Sequence, residues 1–203
     1  MSTNPNNVKR TYFPPMVMTK QTGENEEARL YWGIRNGYPR LSLSMKQPIV
    51  SPTEREFDYK NLIIAPFERI TFGVFLKQFT EIIDDEPKTT RTVKCYNVKF
   101  KDGVKTDEVY LQGVITLGKD DNGIIYIHMY NDEKNNGDDA IKFELITPHK
   151  WNRFFKNDKE INQAILSKQF ATEYLKELTK QYHRVFDTDA YVDKEITKDG
   201  SSE

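Results

Sequence analysis

Along residues 29–46, RLYWGIRNGYPRLSLSMK, apolar and polar positions alternate on both sides of Asn36-Gly37. Alternation with a period of two predicts half-buried strands, and Asn-Gly suits a two-residue turn needing positive φ at both positions. The turn sets the register: Arg35 faces Tyr38, Gly33 faces Arg40, Tyr31 faces Ser42 and Arg29 faces Ser44. One face then carries Leu30, Trp32, Ile34, Pro39, Leu41, Leu43 and Met45, a core face. The other carries Arg29, Tyr31, Gly33, Arg35, Tyr38, Arg40, Ser42, Ser44 and Lys46, and is read as facing solvent.

The pattern continues along the chain. TYFPPMVMTK (11–20) predicts a strand at a sheet edge, because its two prolines cannot donate to a ladder. NLIIAP (61–66) predicts a short buried strand. ERITFGVFLKQFTEIIDD then places Phe72, Phe75, Leu76, Phe79 and Ile83 at helical spacing, with Pro87 after the stop. Strands follow at 92–100, 104–117, 124–130 and 140–146, joined through Lys101-Asp102-Gly103, GKDDNG and NDEKNNGDD. Thr147-Pro148 predicts a helix entry, a hydroxyl cap with proline at the first position. HKWNRFF would open that helix, and Ile161, Ile165, Leu175, Leu178 and Tyr182 would line it to about residue 185.

The order is four strands and a helix, twice. Two segments, LIIAPFERITFGVF and FELITPHKWNRFF, both run from an apolar strand through proline towards an aromatic-bearing helix, an internal repeat. The fold class is α+β: two ββββα halves, 11–86 and 91–186, with antiparallel sheets and packed helices. Residues 1–10 read as a flexible arm, and 187–203 as a polar, disordered tail.

Composition narrows the function. The 203 residues carry a net charge of -1, yet residues 1–50 hold seven Lys/Arg against three Asp/Glu. No run approaches the roughly 18 apolar residues of a membrane span, and the polar N-terminus is no signal peptide. The single cysteine, Cys95, forbids an internal disulfide and reads as a small core residue. A cytoplasmic location without membrane contact is the expectation. His128, His149 and His183 sit on separate elements without metal-ligand spacing. No Gly-rich phosphate loop appears and the acidic turns lack calcium-loop spacing, so neither catalysis, a metal nor a cofactor is expected.

The hairpin's solvent face has no carboxylate in a chain with 31 acids. Cations there neutralise phosphates, phenols stack on unpaired bases, and serine hydroxyls bond phosphate or base edges. Arg29, Arg35, Arg40 and Lys46 would contact phosphates, Tyr31 and Tyr38 would stack, and Ser42 and Ser44 would hydrogen-bond. The same pattern also fits a solvated strand face rich in β-favouring tyrosine. A second patch comprises Lys94, Tyr96, Tyr110, Tyr126, His128 and Tyr130, with Val109, Leu111, Ile115 and Leu117 turned to the core. That row could stack bases or form an oligomer interface.

Residues 123–155, GIIYIHMYNDEKNNGDDAIKFELITPHKWNRFF, resemble the Whirly and positive-cofactor-four family of single-stranded DNA-binding proteins. The shared pattern is an isoleucine-rich strand, a polar loop, a second strand ending in a Thr/Asn-Pro turn, and a helix bearing tryptophan. The resemblance implies a Whirly-like fold, DNA contacts on exposed hairpin strands, and a homo-oligomer in which the long C-terminal helix serves the contact. It also implies a role in DNA replication, recombination or repair, or as a transcription cofactor. Bacteriophages encode such proteins, in which case the compartment is the host cytoplasm. The tail departs from replication-type binders: residues 187–203 carry six acids and two lysines but end without an aromatic residue. Two other readings stay open: a structural or protein-interaction protein that uses its sheets for assembly, and an RNA-binding protein, since stacking is nearly indifferent to the sugar.

Overall fold

A computed structural model describes residues 11–12, 18–21, 27–35, 38–45, 63–131, 141–146 and 153–186. The chain is α+β with antiparallel sheets and two helices among these residues. The first sheet contains β1 (Thr11–Tyr12), β2 (Met18–Gln21), β3 (Glu27–Arg35), β4 (Tyr38–Met45) and β5 (Ile63–Pro66). β1 and β2 both pair with β3 at the edge of the sheet, Pro14 and Pro15 between them lie outside the described residues, and the order runs on through β4 to β5. The second sheet is a meander of β6 (Thr89–Lys101), β7 (Val104–Lys119), β8 (Ile125–Tyr130) and β9 (Ile141–Glu144). Helix α1 (Arg69–Asp84) joins the sheets, and α2 (Gln163–Phe186) closes the described chain.

The core draws on every layer. Leu30 and Trp32 of β3, Ile63 and Ala65 of β5, and Ile115, Leu117, Ile125, Ile127 and Met129 of the second sheet are buried together. Phe72, Phe75 and Phe79 of α1 fall on one helical stripe and pack with Trp32 and Phe67, ring centroids 5.1 to 6.3 Å apart. From α2, Ala171, Tyr174, Leu175 and Leu178 complete the cluster. The Trp32 indole N–H donates to the Tyr174 hydroxyl at 2.7 Å, a buried bond across 142 residues of sequence. Burial pushes the Tyr174 phenol up, opposed by the bond from Trp32.

Cations gather at the end of α1, where helix carbonyls lack intrahelical donors. The buried Lys119 ammonium donates to the Ile83 carbonyl at 2.9 Å and also to the Asp85 carbonyl. Arg91 pairs with Asp85 at 2.7 Å and Glu81 at 2.9 Å. Lys168 of α2 reaches Asp84 at 2.8 Å and holds that exposed carboxyl below the usual range.

The expectation that HKWNRFF runs on into the long C-terminal helix is overturned. Residues 147–152, with the Thr147-Pro148 entry, lie outside the described residues, Phe154 is in no helix and Phe155 opens a strand. A tight hairpin, β10 (Phe155–Lys156) and β11 (Lys159–Glu160), turns at Asn157-Asp158, both at positive φ (50° and 59°). The helix begins only after Asn162, whose side-chain oxygen accepts from the Ala164 N–H at 2.7 Å, an N-cap. Ile161 is therefore outside α2, and Ile165 is exposed. An Asn-Asp pair competent for left-handed backbone outweighs the aromatic pattern around it.

Candidate nucleic-acid interface

The second sheet has one core face and one outer face. On β8, Ile125, Ile127 and Met129 are fully buried, and alternation turns Tyr126, His128 and Tyr130 to the other side, half-buried, as expected. Register assigns their neighbours, since directly opposed residues share a face. Gly118 and Glu144 flank Tyr126, Thr116 and Lys142 flank His128, and Val114 faces Tyr130. Beyond β7, Thr92 pairs with Thr116 and Lys94 with Val114. Lys94, Tyr96, Tyr126, His128 and Tyr130 thus share one face.

Local contacts set the ring geometry. A Cβ at Gly118 would lie 2.2 Å from Tyr126 Cζ, so the tyrosine ring occupies the space that glycine leaves open. His128 stands 6.3 Å from the Tyr126 ring and 5.8 Å from the Tyr130 ring. The Lys142 ammonium sits 4.2 Å from the Tyr126 ring centroid and 3.3 Å from Asp120. Asp120 in turn accepts the Asn122 and Ile124 N–H groups at 2.9 and 2.8 Å, which fixes the β7–β8 turn.

Tyr110 leaves the group. Cys95 pairs with Gly113 but Tyr96 pairs with Leu111, so Gln112 is an extra residue, a β-bulge. Below it the faces exchange. Leu111 and Val109, expected in the core, pair with Tyr96 and Val98 on the outer face. Tyr110 pairs with Asn97 on the opposite face. A second register shift lies between Val98 and Phe100, and the hairpin ends in a two-residue turn at Asp102-Gly103, both at positive φ (52° and 80°). Residues 96–110 form an arm with no fully buried member. On its outer face Tyr96, Phe100 and Val109 are 56%, 65% and 63% exposed, beside Lys105 opposite Phe100. The alternation missed Phe100, Val109 and Lys105; the adjacent apolar pair Val114-Ile115 was the available sign of a break.

No protein-family model, curated protein or solved structure matches this chain.

The first hairpin is a mixed outcome. Its register is the one expected, with Arg35 opposite Tyr38, Gly33 opposite Arg40, Tyr31 opposite Ser42 and Arg29 opposite Ser44. Leu30 and Trp32 are buried as expected, yet Tyr31 is only 8% exposed and Gly33 is buried too. β3 is an interior strand covered on both faces there, so Tyr31 is not an open stacking surface. Lys46 and the turn Asn36-Gly37 lie outside the described residues, as do the side chains of Arg29, Arg35, Tyr38, Arg40, Ser42 and Ser44.

Cys95 is a free, buried thiol, and burial pushes it up to about 11, so it stays protonated at neutral pH. Among the described residues no group of three or more His, Cys, Asp or Glu could hold a metal ion, and no helix is long and apolar enough to cross a membrane.

Proposed function

We propose that this chain binds single-stranded DNA with little sequence preference, in replication, recombination or repair. The observation that carries the reading is the outer face of the second sheet. Lys94, Tyr96, Tyr126, His128 and Tyr130 share it, with Lys142 held over Tyr126. Aromatic rings on a strand offer stacking surfaces to successive bases, and lysines beside them neutralise phosphates. Stacking accepts any base, which is why sequence preference would be weak. Glu144 opposite Tyr126 and Asp120 beside Lys142 are acids at this end of the face, so the strand would run from His128 and Tyr130 towards Lys94 and the arm. The cations of the β3–β4 hairpin supply a second phosphate track, without Tyr31. In this reading the chain is a Whirly-like pair of ββββα halves, with β10 and β11 inserted before the second helix.

The test is fluorescence anisotropy of a labelled oligonucleotide as single-stranded DNA, duplex DNA and RNA, each over a range of salt. Tight, salt-sensitive binding to the single DNA strand is expected. Tyr126→Ala should weaken it by about 1 to 3 kcal/mol, and Lys94→Ala should lower the salt slope by about 0.7. Equal or tighter binding to RNA reassigns the ligand, and no binding at low salt overturns the reading.

A further inference from the structure

We propose that the β10–β11 hairpin is a further nucleic-acid contact, taking one base of a single strand on Phe154 and its flanking phosphates on Lys156 and Lys159. This rests on the single-strand binding proposed above, and it lies outside the second sheet's outer face. Every residue from 153 to 160 is exposed, Phe154 by 45% and Phe155 by 57%. Among the described residues neither ring meets another ring, and Arg153, Lys156 and Lys159 form no ion pair. Pairing sorts the hairpin into two faces. Phe155 lies opposite Glu160, and Lys156 opposite Lys159. The Ile161 N–H donates to the Phe154 carbonyl at 2.8 Å, which carries the ladder one step further. Alternation then groups Phe154 with Lys156 and Lys159, and Arg153 with Phe155 and Glu160. The first face has a ring, two ammonium groups and no acid.

Like charges directly opposite each other destabilise a hairpin. An anion between the two ammonium groups turns that repulsion into attraction. A phosphodiester supplies the anion, and its base supplies a partner for the exposed ring. The tip is Asn157-Asp158, polar and acidic, so the hairpin has no apolar end to bury in a lipid surface. Its base is fixed by the helix behind it. A Cβ on Gly123 would lie 3.0 Å from the Ala164 Cβ, and the Ile125 N–H donates to the Ser167 hydroxyl at 2.9 Å. The hairpin therefore joins α2 at the end of the second sheet that holds the β7–β8 turn, whereas the arm leaves from the opposite end. Its ligand is a stretch of strand separate from the one that runs towards Lys94 and the arm.

The test is fluorescence anisotropy of the full chain with a long labelled oligothymidylate over a range of salt. Phe154→Ala should weaken binding about 5- to 150-fold. Lys156→Ala combined with Lys159→Ala should lower the salt slope by about 1.4, two phosphates' worth on a single strand. Phe155→Ala, on the opposite face, should leave affinity near wild type. Thermal melting checks each fold, and Lys156→Ala should melt no lower than wild type because it relieves the repulsion. Wild-type affinity and slope in the hairpin variants, while Tyr126→Ala weakens binding, overturn the hairpin contact and leave the sheet face standing. Losses in the hairpin variants, with Tyr126→Ala and Lys94→Ala silent, do the reverse. An equal loss from Phe155→Ala overturns the face assignment and the contact with it. So does binding to phosphatidylserine vesicles that the lysine variant loses while its oligonucleotide affinity is unchanged. No binding of the wild type to the oligonucleotide at low salt overturns both.

Discussion

At Gly113 the second sheet lies against the backbone of β5, and an added methyl there measures how tightly the two are held. A Cβ on Gly113 would lie 2.8 Å from the Ile64 carbonyl oxygen, 3.3 Å from its carbon and 3.6 Å from the Ala65 Cβ. Ordinary contact begins near 3.4 Å, so one backbone must retreat by about 0.6 Å. The obstacle is main chain, and Ile64 is tied into the β4–β5 ladder opposite Ser42, so it cannot swing aside. Overpacking of this kind costs about 1 to 3 kcal/mol. For a chain of this size that lowers the melting temperature by about 2 to 12 °C. Gly73, in the interior of α1 with nothing within 4 Å of its Cβ position, is the matched control. Gly73→Ala should instead stabilise by about 0.5 to 1 kcal/mol through helix propensity. Thermal and urea unfolding of both variants would show opposite shifts. Gly113→Ala melting with the wild type would refute the close approach of β5 to β7.

Three further outcomes are expected. Trp32→Phe and Tyr174→Phe should each destabilise by about 1 to 3 kcal/mol, and the double variant by less than their sum, because each single change leaves a buried partner without its bond; a urea-denaturation cycle measures the coupling. The Cys95 thiol should resist disulfide reagents in the native state and react once per chain in denaturant. Its folded value of about 11 lies above its ordinary 9.0, so the unfolded chain ionises first. Stability from this group is therefore full below pH 9 and falls by about 2 to 3 kcal/mol as pH rises towards 11. Tyr174 acts in the same direction, so the difference between wild type and Cys95→Ala across that range isolates the thiol. Asn162→Ala should cost about 1 kcal/mol and shorten α2 at its start, read by circular dichroism and melting.

Period-two alternation carried much of the fold. It located the β3–β4 register, the inward set Ile125, Ile127 and Met129, and the outward set Tyr126, His128 and Tyr130, because a strand with one buried face specifies its own register. It failed where one residue interrupts the period. The Gln112 bulge exchanged the faces of Tyr110 and Leu111, and nothing short of tertiary pairing shows which residue is extra. Tyr31 failed for another reason: alternation says which residues share a face and not what lies against that face. The α2 entry failed because Phe154 and Phe155 resemble a helical stripe, whereas Asn157-Asp158 supports a turn that a short window undervalues.

The bond between Trp32 and Tyr174 bears on how the protein is made. Synthesis runs from the N-terminus, and β3 leaves the ribosome long before α2 exists. Until then the Trp32 indole and the phenylalanines of α1 lack the tyrosines that cover them: Tyr174 closes over Trp32 and Phe79, and Tyr182 closes over Phe72. The nascent chain therefore carries an open aromatic cluster until α2 is made, and closure waits for that helix. Contacts so distant in sequence close slowly. A ribosome stalled before residue 174 would hold a chain that collapses without locking, and such chains would be the ones that chaperones retain.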